Sequence, residues 1–507
     1  MYLVTGSQAK EIDRRTIEGI GVPSMVLMER AACAVADEVM VLASKAGIKN
    51  PRVCAVCGSG NNGGDGIAAA RILFLRGIRA CVYMAAGTER LTGDAASQLK
   101  IARGLGVPCL EAADLKTEDI LIDAIFGIGL SRPVTGHLAD VIADVNAARD
   151  AGALVCAVDI PSGIHSDTGA VMGTCVKADS TVTFGYLKLG MVLYPGADHA
   201  GHLRCEEIGF DPSVAGEMRP LHETYTEADL GRLPKRAHDG HKGSFGHVLV
   251  AAGSRNMAGA AYLSGLAAYR MGSGLVTLFT PECNRVILQQ LLPEAVMKTY
   301  DEEAPDLALL KDAMAAATVI VLGPGLGRSA GAEKLVCEVL RGAKVPVIAD
   351  ADALNILSEH SDWLKACTAE VIITPHLKEL SRLTGDNIQF LKENIEQVCE
   401  DFCRQKGVIC ISKDARTRIF DGTDRIYVNS SGNDGMAVGG SGDVLTGVIA
   451  GLIAQGLPAK EAARLGVYIH GMLGDLARKE KGARAMLSSD LPDAIPALMK
   501  RVEESVQ

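Results

Sequence analysis

Aromatic side chains are scarce in this chain: one Trp among 507 residues, and 4% Phe, Trp and Tyr together. Proteins that hold single-stranded nucleic acid stack bases on aromatic rings, and this sequence has too few for such a platform. Basic charge is short as well. The net charge is −10 and no basic run carries interleaved aromatics, which argues against a general nucleic-acid binder. A long uninterrupted hydrophobic run is also missing. The most apolar-looking segment, 436–457, contains Asp443 and several glycines and is not read as a membrane span. The opening MYLVTGSQAKEID lacks the charged-then-apolar profile of a signal peptide. There are 14 cysteines, but no pairing pattern among them. Most sit singly in apolar segments such as Val155-Cys156-Ala157-Val158, where a thiol serves as a small hydrophobe. The lone CxxC, Cys54 and Cys57, falls in a predicted strand with opposite parity, so its thiols point to opposite faces. No second pair completes a metal site. The expectation is a soluble, cytoplasmic protein in a reducing compartment, with neither nucleic acid nor membrane as partner.

What is present supports large cores. The chain is 48% hydrophobic and 22% charged, and too long for one ordinary domain. Helical patterns at 7–18 and 23–45 open it. Short apolar strands at 53–57, 78–84, 120–124 and 153–158 then alternate with helical stretches, including one at 65–76. The alternation stops near Phe210-Asp211-Pro212 and resumes with strands at 247–252, 275–279, 319–322, 345–349, 371–374 and 408–411. Such alternation predicts an α/β protein of two doubly wound domains, 1–215 and 224–507, joined near 213–223. The halves share no sequence period, so unlike domains are fused.

In the first half, GSGNNGGDG at 58–66 follows a strand and precedes a helix, the carboxyl-end position where open α/β sheets bind ligands. The spacing is neither a dinucleotide GxGxxG fingerprint nor a P-loop. Two further strand ends carry a carboxylate and then a loop: Asp123 before FGIGLSRP (126–133), and Asp159 before Ile160-Pro161-Ser162-Gly163. Each Asp alone suits loop capping. Three carboxylates at successive strand ends point to a site, with Asp159 a candidate acid or base. Asp123, Ser162 and an Asn of the glycine motif form an all-oxygen set suited to a hard cation of low charge.

In the second half, GNDGMAVGGSGD (432–443) runs into an apolar helix former. Glycine amides and a helix N-terminus there would cradle an anion, and Asp443 would stand ready to take a proton from an attacking hydroxyl. A buried glycine-rich helix would not need that carboxylate. Strand-end loops at 253–260, at Gly323-Pro324-Gly325-Leu326-Gly327 and at Thr374-Pro375-His376 supply further places for ligand approach, and Lys413 to Thr417 offer cationic and hydroxyl partners for phosphates.

GSGNNGGDG, DAIFGIGLSRPVTG and VDIPSG together resemble the NAD(P)H-hydrate epimerases, the YjeF N-terminal family, over about 1–212. The resemblance implies a Rossmann-like domain binding hydrated NAD(P)H through Asn61, Asn62, Gly63, Gly64, Asp65, Gly127, Ile128, Gly129, Leu130, Ser131, Arg132, Pro133 and Asp159. It implies K+ held by Asn62, Asp123 and Ser162. HKGSFG, GPGLG, TPH and GNDGMAVGGSGD resemble the ADP/ATP-dependent NAD(P)H-hydrate dehydratases over about 224–507, implying a ribokinase-like fold. There Ala260, Gly325, His376 and Asp443 would contact substrate. Lys413, Asp414, Ala415, Arg416, Thr417 and Gly442 would hold the nucleotide, ADP or ATP with Mg2+. The sequence departs from that family's pattern at Leu377-Lys378, Asp414, Asp434 and Ser441. The implied activity is repair of the hydrates NADHX and NADPHX by a homo-oligomer, through R/S epimerisation and ADP-dependent dehydration of the 6S form. A small-molecule kinase of hydroxymethylpyrimidine type, or a non-catalytic sensor of NAD(P) derivatives in the first half, would share parts of this pattern.

Overall fold

The computed structural model describes residues 1–506 and divides after His222 into two compact units. In the first unit, seven strands pair in parallel: Arg52–Cys57 (β1), Arg79–Met84 (β2), Cys109–Leu110 (β3), Ile120–Ala124 (β4), Leu154–Val158 (β5), Ser180–Phe184 (β6) and His202–Glu206 (β7). Their order is β3-β2-β1-β4-β5-β6-β7. The order reverses between β1 and β4, which opens a crevice beyond their carboxyl ends. Side-chain parity divides the sheet between two cores. Val53, Ala55 and Cys57 pack with helices Ser24–Lys45 and Asn61–Leu75, while Cys54 and Val56 pack with helix His137–Asp150. Cys54 and Cys57 thus face opposite sides, and all fourteen thiols are unbridged.

Three local differences from the sequence reading have physical causes. The helix expected at 65–76 is Asn61–Leu75, so two thirds of the glycine motif is already helical. A Cβ at Gly63 would lie 2.1 Å from the Gly58 carbonyl oxygen, so this glycine serves close packing of the first turn on the strand exit. The first helix is Gly6–Arg14, capped by Thr5 with Gln8, and continues as a π-helical turn, Arg15–Ile20. Strands β6 and β7 escaped the reading because polar residues hide there. Ser180, Thr181 and Thr183 are fully buried, with Ser180 Oγ donating to Glu38 Oε1 (2.8 Å) and Thr181 Oγ1 to the Ala200 carbonyl (2.6 Å).

The second unit carries His247–Ala251 (β8), Leu275–Pro281 (β9), Val296–Tyr300 (β10), Val319–Leu322 (β11), Val347–Ala349 (β12), Val371–Ile373 (β13), Val408–Ser412 (β14), Arg418–Phe420 (β15) and Ile426–Val428 (β16). The order β10-β9-β8-β11-β12-β13-β14 is parallel throughout, and β15 and β16 add an antiparallel edge. The sheet reverses between β8 and β11. Helix Ser441–Ala454 is buried from Val444 onward, which explains its apolar sequence, and Gly447 lets it press against Ser264 of helix Ala258–Arg270. Among the described residues no helix is long and apolar enough to cross a membrane.

Candidate active sites

At the β1/β4 reversal of the first unit lies a cavity of ≈ 810 Å³. Its wall includes Asn61, Asn62, Asp65, the segment from Gly127 to Arg132, and Asp159. Pro133 lines an adjoining cavity of ≈ 890 Å³ that shares Arg132, Leu130 and Phe126 with the first. Gly63 and Gly64 are buried beneath the motif. Asp123 and Ser162 lie behind the wall. Asp123 is fully buried and accepts from Ser162 N (2.7 Å), Ser162 Oγ (2.5 Å) and Ile125 N (3.4 Å). Burial pushes its carboxyl up to about 6, against the pull of the Ser162 hydrogen bonds, and no cation pairs with it among the described residues. Asn62 Nδ2 is buried without a hydrogen-bond partner, and its amide oxygen lies 3.1 Å from where a Cβ of Gly127 would stand.

Asp159 occupies a left-handed conformation (φ 65°) at the exit of β5, a strained position for a residue with a side chain. Its Oδ1 accepts from Lys188 Nζ, from Thr183 Oγ1 (3.1 Å) and from Phe184 N (3.4 Å). Lys188 is 2% exposed and reaches the cavity. The sequence reading missed this lysine because no motif surrounds it. A basic residue in the apolar run Tyr186-Leu187-Lys188-Leu189 was the available signal.

In the second unit the strand-exit loops converge as expected. Gly253 N donates to the Pro324 carbonyl (2.8 Å), joining the loops after β8 and β11, and a Cβ on Gly325 would lie 2.9 Å from Ala260. Gly440, in the left-handed region (φ 95°), turns the chain into helix Ser441–Ala454. Lys413 lies at that helix start: its Nζ is 3.1 Å from where a Cβ of Gly442 would stand and 2.8 Å from Asp350 Oδ1. An ammonium beside a helix N-terminus is unfavourable on its own, and both groups favour an incoming anion. Asp443 projects from the first turn, with its main-chain carbonyl held by Ser264 Oγ (3.0 Å) and Thr446 Oγ1 (2.7 Å). Its carboxyl has no hydrogen-bond partner among the described residues. Burial, then Asp350 and Asp352, push it up to about 7, with Lys413 pulling the other way.

His376 caps helix Leu377–Thr384, its Nδ1 accepting from Lys378 N and Glu379 N, while Glu379 Oε2 accepts from His376 N. Burial and Lys413 lower its imidazole, and a main-chain bridge ties it to Lys413. Asp414 to Thr417 form the turn after β14: Asp414 Oδ1 accepts from Ala415 N (2.8 Å), Thr417 Oγ1 donates to the Asp414 carbonyl (3.3 Å) and Arg416 Nη1 donates to the Ser430 carbonyl (3.2 Å). The departures at Lys378, Asp414 and Asp434 are exposed, and Asp434 pairs with Arg478 at the surface. The HKGSFG motif, by contrast, lies at the amino end of β8, where Gly274 packs on the Lys242 carbonyl.

Three contributors were not read from the sequence. Asp350 and Asp352 flank Ala351, itself left-handed (φ 52°), with Asp352 Oδ2 accepting from Gly327 N (2.8 Å). A carboxylate directly after an apolar strand was the missed signal. The third is His470, whose buried Nε2–H donates to the Ser441 carbonyl (2.9 Å) from beneath the glycine turn.

The family model described as NAD(P)H-hydrate dehydratase matches residues 248–497, and that of the YjeF-related protein N-terminus matches 24–190. The bifunctional NAD(P)H-hydrate repair enzyme of Moorella thermoacetica is 38% identical over 100% of this chain and 98% of its own length. That of Thermofilum pendens is 35% identical, again over 100% of this chain and 98% of its own. A ribokinase-like superfamily protein from Enterococcus faecalis V583 superposes with a TM-score of 0.50 at 30% identity, covering 55% of this chain and 96% of the other. With two complete α/β units, each carrying its own site, and relatives matched along the full length, the chain belongs to the family of bifunctional NAD(P)H-hydrate repair enzymes.

Proposed function

We propose that the protein repairs hydrated nicotinamide nucleotides. The first unit, corresponding to about 1–215, interconverts the R and S epimers of NADHX and NADPHX. The second, about 224–507, converts the 6S form to NAD(P)H while ADP becomes AMP and phosphate. The observation that carries this reading is Asp443, whose carboxyl has no hydrogen-bond partner among the described residues, is raised to about 7 by burial and stands at a helix start suited to an anion. It takes the proton from the hydroxyl on carbon 6 as that oxygen attacks the terminal phosphoryl group. Amides from Gly440 to Gly442, with Lys413, stabilise the charge on the transferred group. Loss of phosphate from carbon 6, with the electron pair of the C5–H bond forming the ring double bond and its proton passing to phosphate, then restores the ring. The water added in the damaged nucleotide leaves as part of phosphate, so atoms balance. Ala260, Gly325 and His376 position the substrate, and the turn from Lys413 to Thr417 holds the nucleotide. Mg2+ bound with the nucleotide would supply neutralisation of its phosphate charge.

In the first unit the residues Asn62, Asp123 and Ser162 fit K+. Asp123 is a buried carboxyl without a cationic partner, and one negative charge among neutral oxygens suits a monovalent ion. The ion would tie the glycine motif to the exits of β4 and β5. Epimerisation is expected to run faster in potassium than in lithium, and Asp123→Ala is expected to abolish that difference. Equal parent rates in the two ions would remove the cation assignment.

The kinase alternative is disfavoured by similarity to bifunctional repair enzymes along the whole chain. Mixing NADHX epimers with the protein and ADP or ATP, and following the absorbance of recovered NADH, tests the activity and the donor together. A stable phosphorylated product without NADH would favour the kinase.

A further inference from the structure

Four carboxyl groups line the ≈ 810 Å³ cavity: Asp94, which accepts from Ser24 Oγ, and three from other elements, Asp13 from helix Gly6–Arg14, Asp65 from helix Asn61–Leu75 and Asp159 from the exit of β5. Their surroundings differ. Asp159 is fixed by Lys188 Nζ and Thr183 Oγ1. Asp13 and Asp65 make no hydrogen bond or ion pair among the described residues, although both are half-buried. Burial, followed by the nearby charge of Asp159, raises Asp13 above the ordinary carboxylate range and Asp65 well above it. Lys10 and Arg132 are the other charged groups facing this space. Half-buried carboxyls without partners weaken a fold unless something uses them.

Asp13 differs from Asp65 in where it comes from. Ala9, Lys10, Asp13 and Ile17 all line the cavity, so the first helix presents one continuous stripe to it. That helix lies against the segment after β4: a Cβ on Gly129 would be 3.8 Å from Lys10 Nζ, and one on Gly6 would be 3.2 Å from the Ile128 carbonyl oxygen. Asp159 belongs instead to the exit of β5, and Asp65 to the helix that follows β1. A ring held between the stripe and the sheet would meet Asp13 on the helix side and Asp159 on the sheet side.

Inversion at carbon 6 by exchange of its hydroxyl with water would use that division. On this route the hydroxyl leaves one face and returns on the other, with a proton supplied to the departing oxygen and one removed from the entering water. Resting on the reading of this unit as an epimerase, we propose that Asp13 is a catalytic residue, serving the hydroxyl on the helix-side face of the ring while Asp159 serves the opposite face. In one direction, protonated Asp13 gives its proton to the C6 oxygen as the C6–O bond breaks, and the ring nitrogen lone pair forms an N1=C6 bond. Water leaves. A water on the other face adds to C6, the N1=C6 electron pair returns to nitrogen, and the surplus proton passes to Asp159. That proton returns to Asp13 through solvent, closing the cycle. The reverse direction exchanges the roles.

The test uses the full chain. Asp13→Asn is expected to lower the kcat of epimerisation by about 10²–10⁴, with KM little changed, as for loss of a positioned acid. Asp13→Glu is expected to recover part of that rate. The parent should incorporate one solvent oxygen per inversion in 18O-labelled water, above the rate without enzyme. Its rate should fall at high pH as Asp13 loses its proton, a limb absent from the residual activity of Asp13→Asn. A near-parental kcat in Asp13→Asn overturns the proposal, as does inversion that retains the original oxygen. A loss that comes with lowered thermal stability and no recovery in Asp13→Glu also overturns it, by making the role structural. An inert parent is a separate outcome, because it removes the epimerase reading itself.

Discussion

Both units set one lysine, buried in the first and partly buried in the second, against one strand-exit carboxylate, and both leave another carboxyl without a partner among the described residues beside that couple. In the first, Lys188 pairs with Asp159, with Asp13 and Asp65 unpaired. In the second, Lys413 pairs with Asp350, with Asp443 unpaired. Each couple adjoins a residue with a side chain in the left-handed region, Asp159 itself or Ala351 next to Asp350. The difference lies in what surrounds the unpaired group. Asp443 stands on a helix whose N-terminus has a glycine turn and an ammonium, so its neighbourhood is built for transferring an anion. The first unit has an open cavity with carboxyls on different elements, an arrangement that would suit moving protons around a neutral hydroxyl. On the proposed function, a shared lysine–carboxylate frame would serve two chemistries according to what the adjacent helix offers.

The comparison is broken most sharply by Asp443→Asn. It removes a proton acceptor while keeping shape, and is expected to lower nucleotide-dependent recovery of NAD(P)H from the S epimer by about 10²–10⁴. Epimer exchange should persist, because that chemistry uses the other unit. Parallel assays of both activities check this. Lys413→Met comes next. Leaving Asp350 buried without its partner is expected to cost roughly 3–5 kcal/mol in denaturant unfolding of the second unit. Dehydration by the parent should rise with pH through about 7, as Asp443 loses its proton. Because Lys413 holds that carboxyl down, the limb should move to higher pH in the variant. Gly440→Ala forces a side chain into φ 95°, with Leu263 Cδ1 2.7 Å from the new Cβ. A loss of about 1–2 kcal/mol is expected from the backbone alone, read from the same unfolding curve. Asp434→Ala should change least. Asp434 is 77% exposed in its pair with Arg478, and such pairs are worth under about 1 kcal/mol.

The alternation of strands and helices was legible, and so were the glycine motifs, because each joins an apolar strand to the loop or helix that follows it. Asp123, Asp159 and Asp443 were legible for the same reason. Lys188, Asp350 and His470 were not. Each reaches its partner only after the sheet or helix pair has formed, and neighbouring sequence gives no hint of that partner. The glycine-rich stretch was read as loop up to Gly64, although the helix already begins at Asn61, since glycine signals flexibility and close packing alike. Here Gly63 provides the packing. Strand β6 was hidden because its buried hydroxyls are satisfied by groups distant in sequence.

Burial moves Asp443 and His470 in opposite directions. The Asp443 carboxyl goes from 3.8 to about 7, and the His470 imidazole from 6.5 to about 4. On acidification below pH 7, the folded chain takes up a proton at Asp443 before the unfolded chain does, which favours the folded state. Below 6.5 the unfolded chain protonates His470 while the folded one does not, which favours unfolding. The spans are similar and the signs opposite, so the two contributions oppose each other between about pH 6.5 and 4. His470 keeps donating through Nε2–H to the Ser441 carbonyl whether or not its other nitrogen is protonated. Mild acidity should thus silence dehydration while these two groups together change stability little, and raising the pH should restore that activity without refolding.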